Sequence, residues 1–385
     1  MQFKEIVGQG AVKQKLLGLA KSAKIPHAIM LLGPEGNGGL GLALALTQYL
    51  QCENPAENDS CGMCAACVKN QKFVHPDVHF TYPVVPRKPG DKPISTDYAA
   101  EWRSALHANP YMNGNDWLQS IGAENRQGNI TVRECHEIIK TMSLKNYEAA
   151  WKFQIIWLAE YLKEAGNTLL KVIEEPPADT IFILLVENIE QVLNTVISRT
   201  QIIKVNAIDS DDVKAGLLQR FETDAETAER IARISDGNFN AALTFAGGAD
   251  SENDKLLRSW LLCCFNLKQK PSGDNAKNLI DWVDDFAKLG RENQKIFLKY
   301  ALFFIRECAL VALTGTSEKL YGDELIFAQR LSKYLGPEQV ETMSGLFNRM
   351  YYHIERNANP KILFMANSFK IASVFKGEEV AGIAI

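Results

Sequence analysis

Leu31-Leu-Gly-Pro-Glu-Gly-Asn-Gly-Gly-Leu40 has the outline of a phosphate-binding loop without its working parts. The apolar run leading into it, Ala28-Ile-Met-Leu-Leu32, reads as a buried strand, and Leu40-Gly-Leu-Ala-Leu-Ala-Leu-Thr-Gln-Tyr-Leu50 beyond it reads as a helix. In that context a competent Gly-x-x-x-x-Gly-Lys-Ser/Thr loop cradles phosphates on backbone N–H groups. Its lysine meets the β- and γ-phosphates, and its hydroxyl holds Mg²⁺. Laid on Gly33 and Gly38, the pattern puts Gly39 where the lysine belongs and Leu40 where the hydroxyl belongs. Gly33, Gly36, Gly38 and Gly39 keep the cradle. The charge-assisted bond, worth roughly 1.5–3 kcal/mol, is lost, and so is the metal ligand. Taken alone, the loop fits a nucleotide scaffold that no longer hydrolyses, or a glycine-rich turn that never met a phosphate.

A second strand, in Lys152-Phe-Gln-Ile-Ile-Trp-Leu-Ala-Glu160, bears on that choice. A phosphate-loop ATPase ends such a strand in acidic residues, one for Mg²⁺ and one to polarise water. Those places fall on Trp157 and Leu158, with Glu160 two residues late. Two catalytic parts missing from one scaffold favour a retired ATPase. Further apolar strands are expected at Thr180–Val186 and Gln201–Val205, with an amphipathic helix over Gly166–Pro177 that two prolines end. Short strands alternating with helices imply an α/β fold with a parallel sheet covered on both faces.

Directly after the loop helix come Cys52 and then Cys61-Gly-Met-Cys64-Ala-Ala-Cys67. Four thiolates so spaced can hold one tetrahedral ion at Zn–S distances of about 2.3 Å, in a closed and therefore structural site. A disulfide pair and an iron–sulfur cluster are the alternatives; His75 and His79 lie close enough in sequence to replace a thiolate. Cys135, Cys263, Cys264 and Cys308 lack such spacing and are expected in cores.

The 385 residues exceed one ordinary core and imply two or three domains. A net charge of -4 gives no basic signature, so nucleic-acid contact must be local or shared with partners. No charged-then-apolar segment opens the sequence, and no run approaches the ~18 apolar residues of a membrane helix. A cytoplasmic protein without membrane contact is expected, where eight cysteines argue for metal or buried thiols over disulfides. A helix is expected over Val12–Ala23. From His75 to about Ile130 the chain reads as an irregular excursion on the domain edge, with Pro83, Pro86, Pro89 and Pro93 and one short helix near Asp97–Leu106. Helices follow at Thr131–Met142 and Thr223–Ile234, then a polar linker at Gly247–Asn253. Amphipathic stretches at Leu256–Asn266, Ala276–Leu289, Asn293–Leu313, Gly322–Tyr334, Gln339–Glu355 and Lys361–Val374 make an all-helical last domain.

Asn167-Thr-Leu-Leu-Lys-Val-Ile-Glu-Glu-Pro-Pro177 followed by Ser198-Arg-Thr200 resembles the family of bacterial clamp-loader subunits of DNA polymerase III. The likeness extends to Val7-Gly8-Gln9, Ile25-Pro26-His27-Ala28, the four-cysteine module and His75-Pro76-Asp77. It implies an AAA+ domain over 1–206 with a zinc module at 52–72 and an insertion at 76–130. A helical lid over 207–248 and a collar over 254–385 that joins subunits into a ring would follow. It further implies gamma/tau ATPase subunits and a delta subunit as partners, with the sliding clamp and primer-template DNA reached through the complex. Zinc at Cys52, Cys61, Cys64 and Cys67 would be structural, and ATP would be held by neighbouring subunits. Thr200 stands where the family motif ends in Cys, and Asn240 where ATP-binding relatives carry a second sensor arginine.

Arg199 is long, permanently charged and fork-shaped, which suits phosphate oxygens. With the chain's own loop stripped, the resemblance makes it an arginine finger delivered to a neighbour's ATP; the alternative is a salt bridge tying strand to helix. Two other functions compete with this reading. An active ATPase would use Glu160 or Glu174 and Glu175, but that pair sits at a helix end far from a strand terminus. A zinc-dependent DNA-binding module would have only Lys69 and Lys72 nearby, too little charge for phosphate binding alone.

Overall fold

The computed structural model describes every residue except 23–24, 89, 124–125, 270–271, 318, 321, 357 and 378–385. Ala23, the expected end of the first helix, and Pro89 lie outside the described residues; that helix runs over Gly10–Lys21. The strands are Ala28–Leu32 (β1), Val78–Thr81 (β2), Lys152–Trp157 (β3), Thr180–Val186 (β4) and Gln201–Lys204 (β5). They form one parallel sheet in the order β2-β3-β4-β1-β5. Both faces are covered, which is why β1 and β4 read as near-continuous apolar runs. Ile29, Leu31, Ile155, Ile183 and Leu185 turn to one face, against helix Gly39–Gln51; Ala28, Met30, Ile156, Phe182 and Leu184 turn to the other, against helix Val132–Ser143. Thr131 caps the latter helix through the Glu134 N–H at 3.3 Å.

The segment 76–130 is more than an edge excursion. It opens with β2, a fifth strand that its four half-polar residues between Pro76 and Pro83 conceal. It also holds helices at Ala99–Ala108 and Gly114–Ser120, the second unanticipated. Tyr82 stacks on Trp102 with ring centroids 4.1 Å apart, and Trp102 meets Trp117 at 5.2 Å and Trp157 of β3 at 5.1 Å. The prolines mark local turns truthfully, but they say nothing about burial, and this segment supplies part of the core on the helix 39–51 side.

Asp77, buried at the entrance to β2, anchors the segment after helix 132–143. Its carboxylate accepts N–H bonds from Tyr147 (2.6 Å), Glu148 (2.9 Å) and Ala149 (2.9 Å). Burial pushes its pKa up, but the three amides outweigh this and hold it below the ordinary 3.8. Such a group stabilises the fold above the unfolded pKa, and the contribution fades as pH falls through the lower folded value. Asp77→Asn turns an amide N–H₂ toward those donors and is expected to cost about 2–3 kcal/mol at neutral pH. In denaturant titrations the difference from wild type should shrink below pH 3.8; a difference unchanged between pH 7 and pH 3 would contradict the assignment.

The helix expected over Gly166–Pro177 is mostly absent. Residues Ala159–Leu169 run as 3-10 turns broken at Lys163, and only Leu170–Glu174 is α-helical before Pro176. Gly166, Asn167 and Thr168 are weak helix formers, and the stretch is held by packing instead. The expected linker at Gly247–Asn253 is also helical: Phe245–Ala249 is π-helical and Asp250–Gln269 α-helical. Composition there signalled a loop, but helical backbone bonds won.

The chain divides into two compact units, 1–225 with 236–242, and 226–235 with 243–385. The second is all helical, with Trp260 at its centre stacked on Trp282 at 5.4 Å and donating its indole N–H to Ser368 Oγ at 2.8 Å. Cys135, Cys264 and Cys308 are buried as expected, whereas Cys263 is half-buried. No helix among the described residues is long and apolar enough to cross a membrane.

Candidate functional site

The Gly33–Leu40 loop leaves the carboxyl end of β1, which lies between β4 and β5 where strand order reverses, the place at which such sheets bind ligands. Gly33 N–H donates to Val186 O at 3.1 Å. A Cβ on Gly33 would run into the Val205 carbonyl, so only glycine fits. Gly36 (φ +71°) and Gly38 (φ +84°) adopt the left-handed backbone that side chains resist. Asn37 then folds into the loop: its Nδ2 donates to Val205 O at 2.9 Å and its Oδ1 accepts the Gly39 N–H at 2.8 Å. The amide at the lysine position is thereby committed to the protein itself. Sequence reasoning passed over Asn37, although asparagine bonding the N–H two residues on is a recurrent local turn.

Trp157 and Leu158 stand at the end of β3, facing the loop across a cavity of about 30 Å³. Leu158 takes a left-handed conformation (φ 55°, ψ 59°), which costs an L residue roughly 1–2 kcal/mol. Glu160 is turned to a different task. Buried, its Oε1 accepts the N–H groups of Glu187 (3.1 Å) and Asn188 (3.3 Å) just past β4, and burial raises its pKa. Asn240 is bonded to Asn109 at 2.5 Å and to Asp116 at 2.6 Å.

The four cysteines converge. Sγ atoms of Cys52, Cys61, Cys64 and Cys67 all lie within 4.8 Å of one another, and no other His, Cys, Asp or Glu among the described residues joins the group. Cys61 and Cys67 Sγ are 3.9 Å apart. That is too far for a disulfide, and a tetrahedron with 2.3 Å arms has edges of about 3.8 Å. The thiol set therefore fits a structural zinc ion. Amides of Met63 (3.4 Å) and Cys64 (3.3 Å) point at Cys61 Sγ and draw its pKa down to about 6, while burial pushes Cys52 and Cys67 up. Cys64 also caps helix Ala65–Gln71. His75 stands apart, accepting the Asp77 N–H on Nδ1 (3.2 Å) with Nε2 3.4 Å from Glu148, and burial drives His79 down to about 4. The module is tied to the chain's opening segment, since Asp59 accepts the N–H groups of Phe3 and Lys4, each at 3.1 Å.

Arg199 lies just before β5, whose Gln201 pairs with Ile29 of β1. Gly33 lies four residues further along, just past β1 and about 13 Å away at 3.3 Å per residue, so Arg199 sits at the amino-terminal end of the strands, opposite the end that carries its own loop. Its Nε contacts Glu174 Oε2 at 2.7 Å and its Nη1 donates to Thr195 O at 2.9 Å. Glu174 is thus engaged far from the loop.

Parallel order, glycine loop and following helix define an α/β module of the AAA+ phosphate-loop type. The family described as DNA polymerase III, delta subunit, matches residues 8–209, more than half of the sequence, and the chain belongs to this family of clamp-loader subunits. The Escherichia coli (strain K12) DNA polymerase III subunit delta' is 24% identical over 336 residues, covering 86% of this chain and 84% of that protein. The Bacillus subtilis (strain 168) subunit tau is 23% identical over 390 residues, which cover 96% of this chain but 61% of that protein's length. The Pseudomonas aeruginosa subunit delta' is 28% identical over 192 residues, half of this chain and 45% of that protein.

Proposed function

We propose that this chain is a non-hydrolysing, delta-prime-type subunit of a DNA polymerase III clamp loader. It supports ATP-dependent loading of the sliding clamp onto primed DNA and supplies Arg199 in trans to ATP held by a neighbouring gamma/tau-type subunit. The observation that carries this reading is the loop itself: the cradle glycines are in place, Gly39 and Leu40 replace the lysine and hydroxyl, and Asn37 occupies the Gly39 amide. Trp157, Leu158 and Asn240 at the other nucleotide-facing positions agree with it. Against an active ATPase, Glu160 is spent on backbone amides and Glu174 on Arg199.

In this reading 1–206 is the AAA+ domain, 207–248 the lid and 254–385 the collar that joins the ring. A delta subunit is a further partner, clamp and primer-template DNA are met through the complex, and the setting is cytoplasmic. Cys52, Cys61, Cys64 and Cys67 hold a structural zinc ion. The purified chain alone is expected to hydrolyse no ATP above the uncatalysed rate. Turnover that co-purifies with the chain and disappears on substituting Gly38 or Glu160 would overturn the reading.

A further inference from the structure

The insertion does more than complete a core. Pro110, Tyr111 and Met112 line the same cavity of about 30 Å³ as the Gly33–Leu40 loop. Tyr111 is 4% exposed, and its ring lies against the loop: a Cβ built on Gly38 would be 3.2 Å from Tyr111 Cε1. Its hydroxyl accepts the Val7 N–H at 2.8 Å, its ring packs 4.8 Å from Phe239, and the Arg220 guanidinium sits 5.5 Å from it. On the neighbouring side Asn109 donates to Asn240 Oδ1 at 2.5 Å, and Asn240 Nδ2 donates to Asp116 Oδ2 at 2.6 Å. The position that would carry a sensor arginine is thus bonded to the insertion through both ends of its amide. What remains beside the loop is room for one or two waters.

We propose that residues 109–116 are the standing occupant of this chain's own nucleotide cleft, a plug that excludes adenine nucleotides whatever the loop chemistry. The proposal rests on reading Gly33–Leu40 as a former phosphate loop, and it goes beyond the loss of lysine and hydroxyl because the cleft is also filled. The two are separable by experiment. Restoring the motif is sterically feasible: a Cβ at Gly39 meets only Asn37 Oδ1 at 3.1 Å and Leu185 Cδ2 at 3.6 Å at close range.

Full-length protein is compared in four forms: wild type, Gly39→Lys with Leu40→Thr, Asn109→Ala with Tyr111→Ala, and all four substitutions together. The probe is Mg²⁺–ATP, followed by calorimetry and by a fluorescent ATP analogue, with circular dichroism to verify folding. The fourfold variant should bind at least tenfold tighter than the motif-restored form, and the other two should not bind. Equal binding by the motif-restored form alone would overturn the plug while leaving the non-hydrolysing reading intact, and so would a folded fourfold variant that fails to bind. ATP turnover by wild type would instead overturn the non-hydrolysing reading.

A second measurement needs no truncation of the plug. The Val7 amide is bonded to the Tyr111 hydroxyl, so its hydrogen exchange should be slowed at least hundredfold in wild type and accelerated in Tyr111→Phe. Exchange of the Val7 amide at the unprotected rate in wild type would mean the plug is not seated and would overturn the proposal.

Discussion

Replacing Cys61 or Cys64 by Ser is expected to abolish retention of one zinc ion per chain and to lower the thermal midpoint of the first unit. Structural zinc contributes an apparent ~10–16 kcal/mol through its four ligands, so losing one thiolate should cost on the order of 3–4 kcal/mol. For a unit of this size that is a drop of roughly 6–16 °C. The loss should be felt beyond the module. Cys52 ends the helix that follows the phosphate loop, and Asp59 holds the backbone of Phe3 and Lys4, so those amides should lose hydrogen-exchange protection together. Elemental analysis of protein purified without chelators is the check. One zinc per chain in wild type and much less in the variants is expected; iron, or no metal in wild type, would reject the assignment.

The sheet was legible because both its faces are buried. Residues 28–32 and 180–186 are buried along almost their whole length and read as apolar runs, and the expected ends of these strands and of β5 fell within a residue of the observed ones, although β5 carries exposed Gln201 and Lys204. The cysteine cluster was legible because metal spacing is local. Three features were not. β2 is a short edge strand with His79 and Thr81 in it, and its pairing to β3 is settled across more than seventy residues of chain. The 3-10 path over Ala159–Leu169 depends on a kink at Lys163 that no propensity announces. Tyr111 and Asp116 reach the loop and Asn240 only through the tertiary fold, so proline and asparagine clustering marked their segment as irregular while concealing where its aromatic and polar side chains go.

Arg199→Ala carries the largest expected effect on activity. Its ion pair with Glu174 joins side chains that are 31% and 56% exposed. Surface pairs of this kind are worth about 0–1 kcal/mol, so the substitution should leave the chain folded. Glu174→Gln, which removes only the partner, should leave clamp loading near normal and serves as the control for a merely structural pair. Arg199→Lys keeps charge but loses the planar fork and should recover little. An arginine finger supplied across a subunit boundary is worth ~10³–10⁵ in rate at the site it faces. The measurement that tests the central claim most directly is ATP turnover and clamp loading by the reconstituted complex carrying Arg199→Ala, with assembly verified by size-exclusion chromatography. The account predicts an assembled complex whose hydrolysis at the facing site falls by about a thousandfold or more. An assembled complex that hydrolyses ATP and loads clamps at the wild-type rate would contradict it.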